Sequence, residues 1–514
     1  MKQAHIKKDF LKTKTSKTLI FTNMAMAIVY FLVITFWFPR NNVYLFWMVI
    51  AGEIFHLWQL LTYGYTIWET RYAARSDSSF RPSVDVFITV AGEPEDIVEQ
   101  TVFAAKDMRY PKFNVYILND GFVAKKDNWR EIERLAQRLG VHCITRTIPG
   151  GAKAGNINNA LHLTHSPFIV VFDADHVPHR DFLQKTMGYF VDPQMGFVQS
   201  PQFYKNQGLN NITAGAWEQQ ELFFGPICKG KNRLNSAFLC GTNMAIRRRA
   251  LEEVGGMCET NITEDFLTSQ MIHEKGWKSY YVSEVLAEGL APEDFLSYYK
   301  QQYRWARGSL ELIFKFNPLF KKGLTWAQKI QYLASSSFFL SGPVILMNAI
   351  LPLIFFFTGL TPFNAPTMAL AAAFLPHIFL TVAVLRRSSN FSFTYRAVSF
   401  AMAGFTIHLK ALYSILRNQK VSFAVTPKKQ QTGNFMNLVI PHLIYIGAVV
   451  LGIGLAIWRE GLTASVMTNV SWALFNVSVF IPFIVAAAPQ TRWAERRAAA
   501  LAENKALFQT IKKN

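Results

Sequence analysis

The sequence predicts an α/β domain inserted between transmembrane helices, with about six spans plus interfacial helices. Three observations carry this reading. Of 514 residues, 51% are hydrophobic and 14% aromatic, too apolar a composition for an ordinary soluble enzyme. The apolar residues gather in long stretches at 18–38, 43–67, 333–358, 367–386, 436–457 and 465–487. Between the second and third stretches lies a polar middle in which short apolar strands alternate with helical patterns.

The elements follow in order. Residues 1–79 form an N-terminal segment with two spanning helices. The first apolar stretch is long and a second follows at once, which argues for membrane helices and against a signal peptide. Residues 80–310 form a cytosolic domain. In it Val84–Val90 reads as a strand ending in a Gly-containing turn, Glu95–Asp107 as a helix, and Asn114–Leu118 as a strand ending at Asn119-Asp120-Gly121. Asn128–Leu139 is a helix, Cys143–Arg146 a strand, Ala154–Leu163 a helix and 168–173 a strand. Such alternation places ligands at the carboxyl ends of the strands, and Glu93, Asp120 and Asp175 sit just past such ends.

Residues 311–335 read as interfacial, with a basic amphipathic stretch at Phe314–Gln331, and 336–390 as two spans. Residues 391–435 hold a mixed helix, Phe393–Arg417, carrying Arg396, His408 and Lys410, followed by a loop. This helix could span, but a place on the inner surface keeps both termini on one side. Residues 436–490 give two more spans, and 491–514 a basic tail.

The net charge is +19, and its distribution argues against nucleic acid as the partner. Six lysines lie in the first 17 residues and six Lys or Arg after residue 490. The loops expected outside carry only Arg40 and Arg459, and 359–366 carries none. The positive-inside rule then predicts cytosolic termini and a cytosolic middle domain. An anionic leaflet and an anionic substrate account for the remaining basicity. Cys143, Cys228, Cys240 and Cys258 show no metal-finger spacing and fit reduced thiols.

Four segments carry chemistry. The strand Phe168–Phe172 runs into Asp173-Ala174-Asp175, and strand alternation puts both carboxylates on one side of the chain. Hard oxygen ligands of this kind suit Mg²⁺ or Mn²⁺. Ile262-Thr263-Glu264-Asp265 precedes an apolar helix, Phe266–His273, so its acids read either as an N-cap or as a general base. In Gln301-Gln302-Tyr303-Arg304-Trp305, residues 301, 304 and 305 share a helical face. An Arg there can neutralise a leaving diphosphate and a Trp can stack on a sugar, or both can belong to an interfacial belt. Phe423-Ala424-Val425-Thr426-Pro427-Lys428 lies just before a membrane helix.

The order Asp120, Asp173-x-Asp175, Thr263-Glu264-Asp265, Gln301-x-x-Arg304-Trp305 and Phe423-x-Val425-Thr426-x-Lys428 resembles the membrane-embedded family 2 glycosyltransferases, specifically the bacterial cellulose synthase catalytic subunits. Ala152-Lys153-Ala154-Gly155-Asn156 and Phe238-Leu239-Cys240-Gly241-Thr242 resemble that family's donor and acceptor segments. The resemblance runs from about residue 18 to 487.

It implies a GT-A domain that binds a UDP-sugar, UDP-glucose above others, with Mg²⁺ or Mn²⁺. By the resemblance Asp175 is the metal ligand, and Asp173 contacts donor and metal. Asp265 is the catalytic base beside Glu264, and Asp120 and Glu93 approach the uridine. Lys153 reaches the phosphates, and Cys240 and Gly241 belong to the acceptor segment. Gln301, Arg304 and Trp305 line the diphosphate and acceptor sugar. Phe423, Val425, Thr426 and Lys428 form a loop that closes over UDP.

The implied product is a β-glucan extended processively and secreted across a bacterial inner membrane, with a growing polysaccharide as acceptor and a periplasmic accessory subunit as a candidate partner. Glu53 and His56, one turn apart in the second apolar stretch, then read either as a bonded structural pair or as channel wall, with His442 and Tyr445 as weaker candidates for the same wall.

Some segments depart from the family pattern. Asn119 precedes Asp120 where two acids are common, Ile88–Glu93 lacks the usual Tyr and Asn, and Gly151 replaces a frequent His. Arg492-x-x-x-Arg496 has the spacing of a cyclic-di-GMP motif, but no second motif follows and it reads as a solvated helix. The rival functions are synthesis of another β-glycan from UDP-N-acetylglucosamine or another nucleotide sugar, non-processive transfer to a lipid carrier, and transport.

Overall fold

The computed structural model describes residues 11–12, 16–390, 392–419 and 433–489. The segment Phe423–Lys428 and the basic tail therefore lie outside the described residues.

Two apolar helices open the chain, α1 (Lys17–Leu32, extended to Trp37 by a wider turn) and α2 (Val43–Ile67). Ser16 and Asn42 cap them through side-chain oxygens that accept the first free backbone N–H groups.

The α/β domain then alternates β1 (Val84–Val90), α3 (Glu95–Lys106), β2 (Phe113–Asn119), α4 (Trp129–Leu139), β3 (His142–Thr145), α5 (Ala152–Leu163) and β4 (Phe168–Asp173). After β5 (Val177–Pro178) come α6 (Phe182–Met187), β6 (Met195–Gln199), β7 (Phe203–Tyr204), α7 (Asn211–Leu222), α8 (Cys228–Arg233), β8 (Met244–Arg247) and α9 (Arg248–Glu252). The domain closes with α10 (Glu264–Glu274), β9 (Lys278–Tyr281), β10 (Ala287–Gly289) and α11 (Phe295–Phe314).

Seven strands form one sheet in the order β3-β2-β1-β4-β8-β6-β9, and β5, β10 and β7 form a small second sheet. The four strands β3, β2, β1 and β4 are parallel, whereas β8 runs antiparallel to both its neighbours. β1 is buried along its whole length. Its Val84, Val86, Ile88 and Val90 pack with Val98 and Val102 of α3 on one face, while Phe87 packs with Ile157 of α5 on the other. A strand covered by helices on both faces is mostly apolar, and the exceptions in β1, Asp85 and Thr89, are hydrogen-bonded. Chain order reverses between β1 and β4, so the crevice beyond Val90 and Asp173 is the topological switch point where open α/β sheets bind ligands.

The remaining helices are α12 (Trp326–Ser337), α13 (Ser341–Thr358), α14 (Thr367–Ser388), α15 (Tyr395–Ala403), α16 (Phe405–Leu416), α17 (Ile440–Glu460) and α18 (Ala464–Ala487). The stretch Phe314–Gln331 is not one helix. α11 ends at Phe314, Pro318 opens a short 3₁₀ turn, and a capping box between Thr325 and Gln328 starts α12.

Seven helical segments among the described residues are long and apolar enough to cross a bilayer, one more than six. The additional one is Tyr395–Leu416, bent at Gly404 between α15 and α16. It is also the most buried of the seven, packing on α7 and α11 as well as on α13 and α18.

The domain is tied to the membrane helices by polar bonds. Lys231 of α8, 1% exposed, donates to Gln331 Oε1 (3.1 Å), and Gln331 Nε2 donates to Thr66 Oγ1 of α2 (2.9 Å). Burial pushes the Lys231 ammonium down to about 8.

Candidate active site

Strand β4 ends at Asp173, and Asp175 lies in the turn that follows. The two acids meet through that turn, closed by His176 N–H to Asp173 O (3.0 Å), and not through strand alternation as the sequence suggested. The turn also brings in His176. Ligand atoms of Asp173, Asp175 and His176 lie within 4.8 Å of one another. His176 is buried, its Nδ1 stands 3.4 Å from Asp175 Oδ1, and neither ring nitrogen has a hydrogen-bond partner among the described residues. Two carboxylates and an imidazole with unused nitrogens are a donor set that fits a divalent cation.

Lys153, on the first turn of α5, reaches across to Asp173 Oδ1 and donates to Gly241 O (2.8 Å). Burial opposes its charge, but Asp173, Glu264 and Asp265 outweigh burial and hold its pKa above the ordinary lysine value. Burial likewise opposes ionisation of Asp173, and Lys153 above all reverses that, keeping the carboxyl below its usual range.

The Phe238–Thr242 segment is clamped into this cleft by Gln199 of β6. Its Oε1 accepts from Cys240 N (2.8 Å) and its Nε2 donates to Thr242 O (2.8 Å). Thr242 Oγ1 in turn accepts from Asp173 N (2.9 Å). Gly241 has φ +83°, and a Cβ there would stand 3.2 Å from Asp265 Oδ2 and 3.7 Å from Lys153 Nζ. The left-handed backbone and the close approach of Asp265 both call for glycine.

Asp265 is the second residue of α10, so it is not the N-cap, a place Thr263 holds without a side-chain bond. Its Oδ1 accepts from Phe266 N (2.8 Å), while Oδ2 faces Gly241. Burial, with repulsion from Glu264, pushes its carboxyl up to about 7, and burial raises Glu264 as well.

Helix α11 brings Arg304 close enough for its charge to favour ionisation of both acids. Its approach is set at Gly308, where a Cβ would fall 2.4 Å from Thr263 Oγ1. Trp305 is partly buried, and Gln301 Oε1 is buried with no hydrogen-bond partner among the described residues.

Asp120 lies beyond β2 in a two-pronged pair with Arg146, Nε to Oδ1 at 2.7 Å and Nη2 to Oδ2 at 2.8 Å. Glu93 folds back on its own turn, accepting from Ala91 N (2.6 Å) through Oε2. Both stand at the mouth of the switch-point crevice, where Asp120 N donates to Val90 O (2.7 Å).

The site thus collects Asp173, Asp175, Lys153, Gly241, Glu264, Asp265 and Arg304 around one cleft. Two family models match the chain in succession, Glycosyltransferase like family 2 over residues 82–308 and Cellulose synthase over 252–486. The chain is 32% identical over 459 residues to the cellulose synthase catalytic subunit [UDP-forming] of Pseudomonas fluorescens (strain SBW25), covering 84% of this chain and 60% of that protein. It is 33% identical over 388 residues to the cellulose synthase 1 catalytic subunit [UDP-forming] of Komagataeibacter xylinus, covering 73% of this chain and 51% of that one. From residue 82 to 486 the chain is similar to family 2 glycosyltransferases and to the bacterial cellulose synthase catalytic subunits. It spans at most 60% of the length of these relatives.

Among solved structures, a mannosyltransferase from Pyrobaculum calidifontis in complex with GDP-Man and Mn²⁺ superposes with a TM-score of 0.54 at 18% identity, over 73% of this chain and 100% of that one. The α/β domain therefore has the GT-A fold.

Two residues of the cleft escaped the sequence reading. His176 directly follows the two acids, and Arg146 directly follows strand β3, so proximity to a motif and place at a strand end were the available signals.

The membrane polar groups resolve into local contacts. Glu53 lies 3.5 Å from His56 and accepts from Tyr30 Oη (3.4 Å), and the Tyr30 ring stacks on His377. His442 Nε2 meets Ala403 O (2.8 Å) inside a cluster with Phe405, Phe480 and Phe483, and Tyr445 accepts from Asn476 (3.2 Å).

Proposed function

We propose that this chain is a processive, inverting glycosyltransferase that polymerises a β-glucan from UDP-glucose and moves it across the bacterial inner membrane. The observation that carries the reading is the pairing across one cleft of Asp265, whose Oδ2 faces Gly241, with Lys153 and Asp173 on the far side. An acceptor hydroxyl placed beside Asp265 would lose its proton to that carboxylate as its oxygen attacks the anomeric carbon. The bond from that carbon to the diphosphate oxygen breaks, and UDP leaves toward Lys153 and Arg304. One displacement of this kind turns an α-linked donor into a β-glycoside.

A divalent cation, Mg²⁺ or Mn²⁺, held by Asp175 and Asp173 with His176, would add charge neutralisation at the diphosphate. Asp120, held by Arg146, and Glu93 stand where a uracil would enter. Gln301, Arg304 and Trp305 line the way from diphosphate to acceptor, with Cys240 and Gly241 on the acceptor side. Phe423, Val425, Thr426 and Lys428 supply the loop over bound UDP.

The relatives named as UDP-forming cellulose synthases support the donor and product. The distribution of basic residues supports cytosolic termini and a cytosolic catalytic domain. A periplasmic accessory subunit is proposed as the partner that receives the polymer.

The test is synthesis in membrane vesicles supplied with radiolabelled UDP-glucose and Mg²⁺, followed by digestion of the product with a β-glucanase and linkage analysis. A labelled β-glucan is the expected result. Consumption of UDP-N-acetylglucosamine or a GDP-sugar alone would show that the proposed donor is wrong.

A further inference from the structure

The chemistry above leaves one built feature unused. A cavity of about 470 Å³ opens between α7 of the catalytic domain and the membrane helices α15 and α18, within the range of roughly 300–1,000 Å³ typical of small-molecule sites. One wall is polar, with Glu218 of α7, Thr394 at the N-cap of α15, and Arg396 in its first turn. The other is apolar, with Phe400, Pro482 and Val485.

Pro482 and Val485 lie in the last two turns of α18, the end next to the catalytic domain, so the cavity sits where a bilayer changes from acyl chains to head groups. Val485 and its neighbour Ile481 are each about half exposed, giving an apolar path from the cavity toward lipid.

The polar wall carries both signs. Arg396 Nη1 lies 3.5 Å from Glu218 Oε1, with side-chain exposures of 38% and 22%, and Thr394 Oγ1 donates to Glu218 Oε2 (2.5 Å). A guanidinium has five N–H donors and a carboxylate about four acceptor positions, so each retains capacity toward the cavity. A purely anionic ligand would meet the Glu218 charge and a purely cationic one the Arg396 charge. A zwitterion satisfies both, its phosphate against Arg396 and its cation against Glu218. An ammonium with N–H groups can hydrogen-bond the carboxylate, whereas a quaternary ammonium cannot.

We propose that this cavity binds a zwitterionic glycerophospholipid with a primary ammonium head group, of the phosphatidylethanolamine class. Its head sits between Glu218 and Arg396 and its chains lie along Pro482 and Val485. The bound lipid would join the catalytic domain to the bilayer at α7, where Phe400 already packs against Gly215.

The test is native mass spectrometry of the purified full chain, delipidated in mild detergent and mixed with phosphatidylethanolamine, its N-methyl derivative, phosphatidylcholine or phosphatidylglycerol at equal concentration. Wild-type protein should retain one phosphatidylethanolamine, with retention falling along the methylation series and at least about tenfold lower for phosphatidylcholine. Glu218→Gln and Arg396→Gln should each weaken retention, and Val485→Trp should block it by filling the apolar wall while leaving the ion pair in place. Equal retention of phosphatidylcholine, stronger retention of phosphatidylglycerol, or undiminished retention in all three variants would overturn the proposal. The head-group series uses the wild-type chain, so misfolding of a variant cannot imitate its outcome.

Discussion

The role given to Asp265 makes a quantitative demand on the pH profile. Its carboxyl is pushed up to about 7 by burial and by Glu264. Only the ionised form can accept the acceptor proton, so the rate must fall as pH drops below that point. Below the midpoint kcat/KM should decline about tenfold per pH unit, because each unit removes nine-tenths of the remaining base.

Two neighbours should move the midpoint in opposite directions. Glu264→Gln removes a like charge and shifts the acid limb to lower pH. Lys153→Met removes a stabilising cation and shifts it up. Asp265 Oδ2 and Lys153 Nζ both lie near the Cβ position of Gly241, at 3.2 and 3.7 Å. They are therefore at most roughly 7 Å apart, worth about 2 kcal/mol at an effective dielectric of about 20, which solvent at the cleft mouth trims to about one pH unit. Asp265→Asn should lower kcat by about 10²–10⁴-fold at every pH while leaving UDP affinity within a few-fold.

The assay is initial-rate incorporation of labelled sugar from pH 5 to 9 in membrane vesicles, with UDP binding measured separately by calorimetry on purified protein. A full rate retained to pH 5.5, an Asn variant within tenfold of wild type, or limbs that move the same way in both neighbours would refute the assignment.

Other expectations follow from the same cleft. Gly308→Ala should reduce synthesis at least about tenfold, because its Cβ meets Thr263 and, at 2.9 Å, Ile262 Cγ2; Thr263→Ala in the same chain removes the two nearest colliding atoms and should restore part of the rate, measured as a double-mutant cycle. Chelation with EDTA should abolish transfer and added Mg²⁺ or Mn²⁺ should restore it, with His176→Ala requiring about 10–100-fold more metal in a titration of rate against free cation. Asp120→Asn strips the buried Arg146 of its counter-charge, and a cost of about 3–5 kcal/mol should appear as lower thermal stability of the purified protein together with weaker UDP binding. Deleting 424–429 should speed UDP release in stopped-flow experiments, and an unchanged release rate would remove the loop from the donor site.

How much of this was legible in the sequence depended on how local each cause is. The strands and helices from Val84 to Asp173 fall within a residue or two of their sequence positions because buried parallel strands are predominantly apolar, and turns at Gly92 and Gly121 punctuate them. The break in Phe314–Gln331 is signalled by Pro318, within a stretch read as interfacial helices. The meeting of Asp173 with Asp175 was anticipated, but strand periodicity gave the wrong reason for it. A turn after Asp173 does the work, and only the turn explains why His176, the next residue, joins the same cluster.

What stayed hidden was pairing at long range. Nothing local in Arg146 says that it holds Asp120, or in Gly308 that it lets α11 close on Thr263, since each depends on where another element packs. The helix Tyr395–Leu416 shows the same limit in the membrane region. Its apolarity qualifies it to span, yet its contacts with α7 and α11 join it to the catalytic domain, and its N-cap Thr394 bonds Glu218 of that domain. Hydropathy measures what a helix could dissolve in, whereas the partners of Thr394, Arg396 and Phe400 decide where it rests. Those partners lie on α7, a helix that no hydropathy profile would connect to them, and they place Tyr395–Leu416 between the α/β domain and the other long apolar helices.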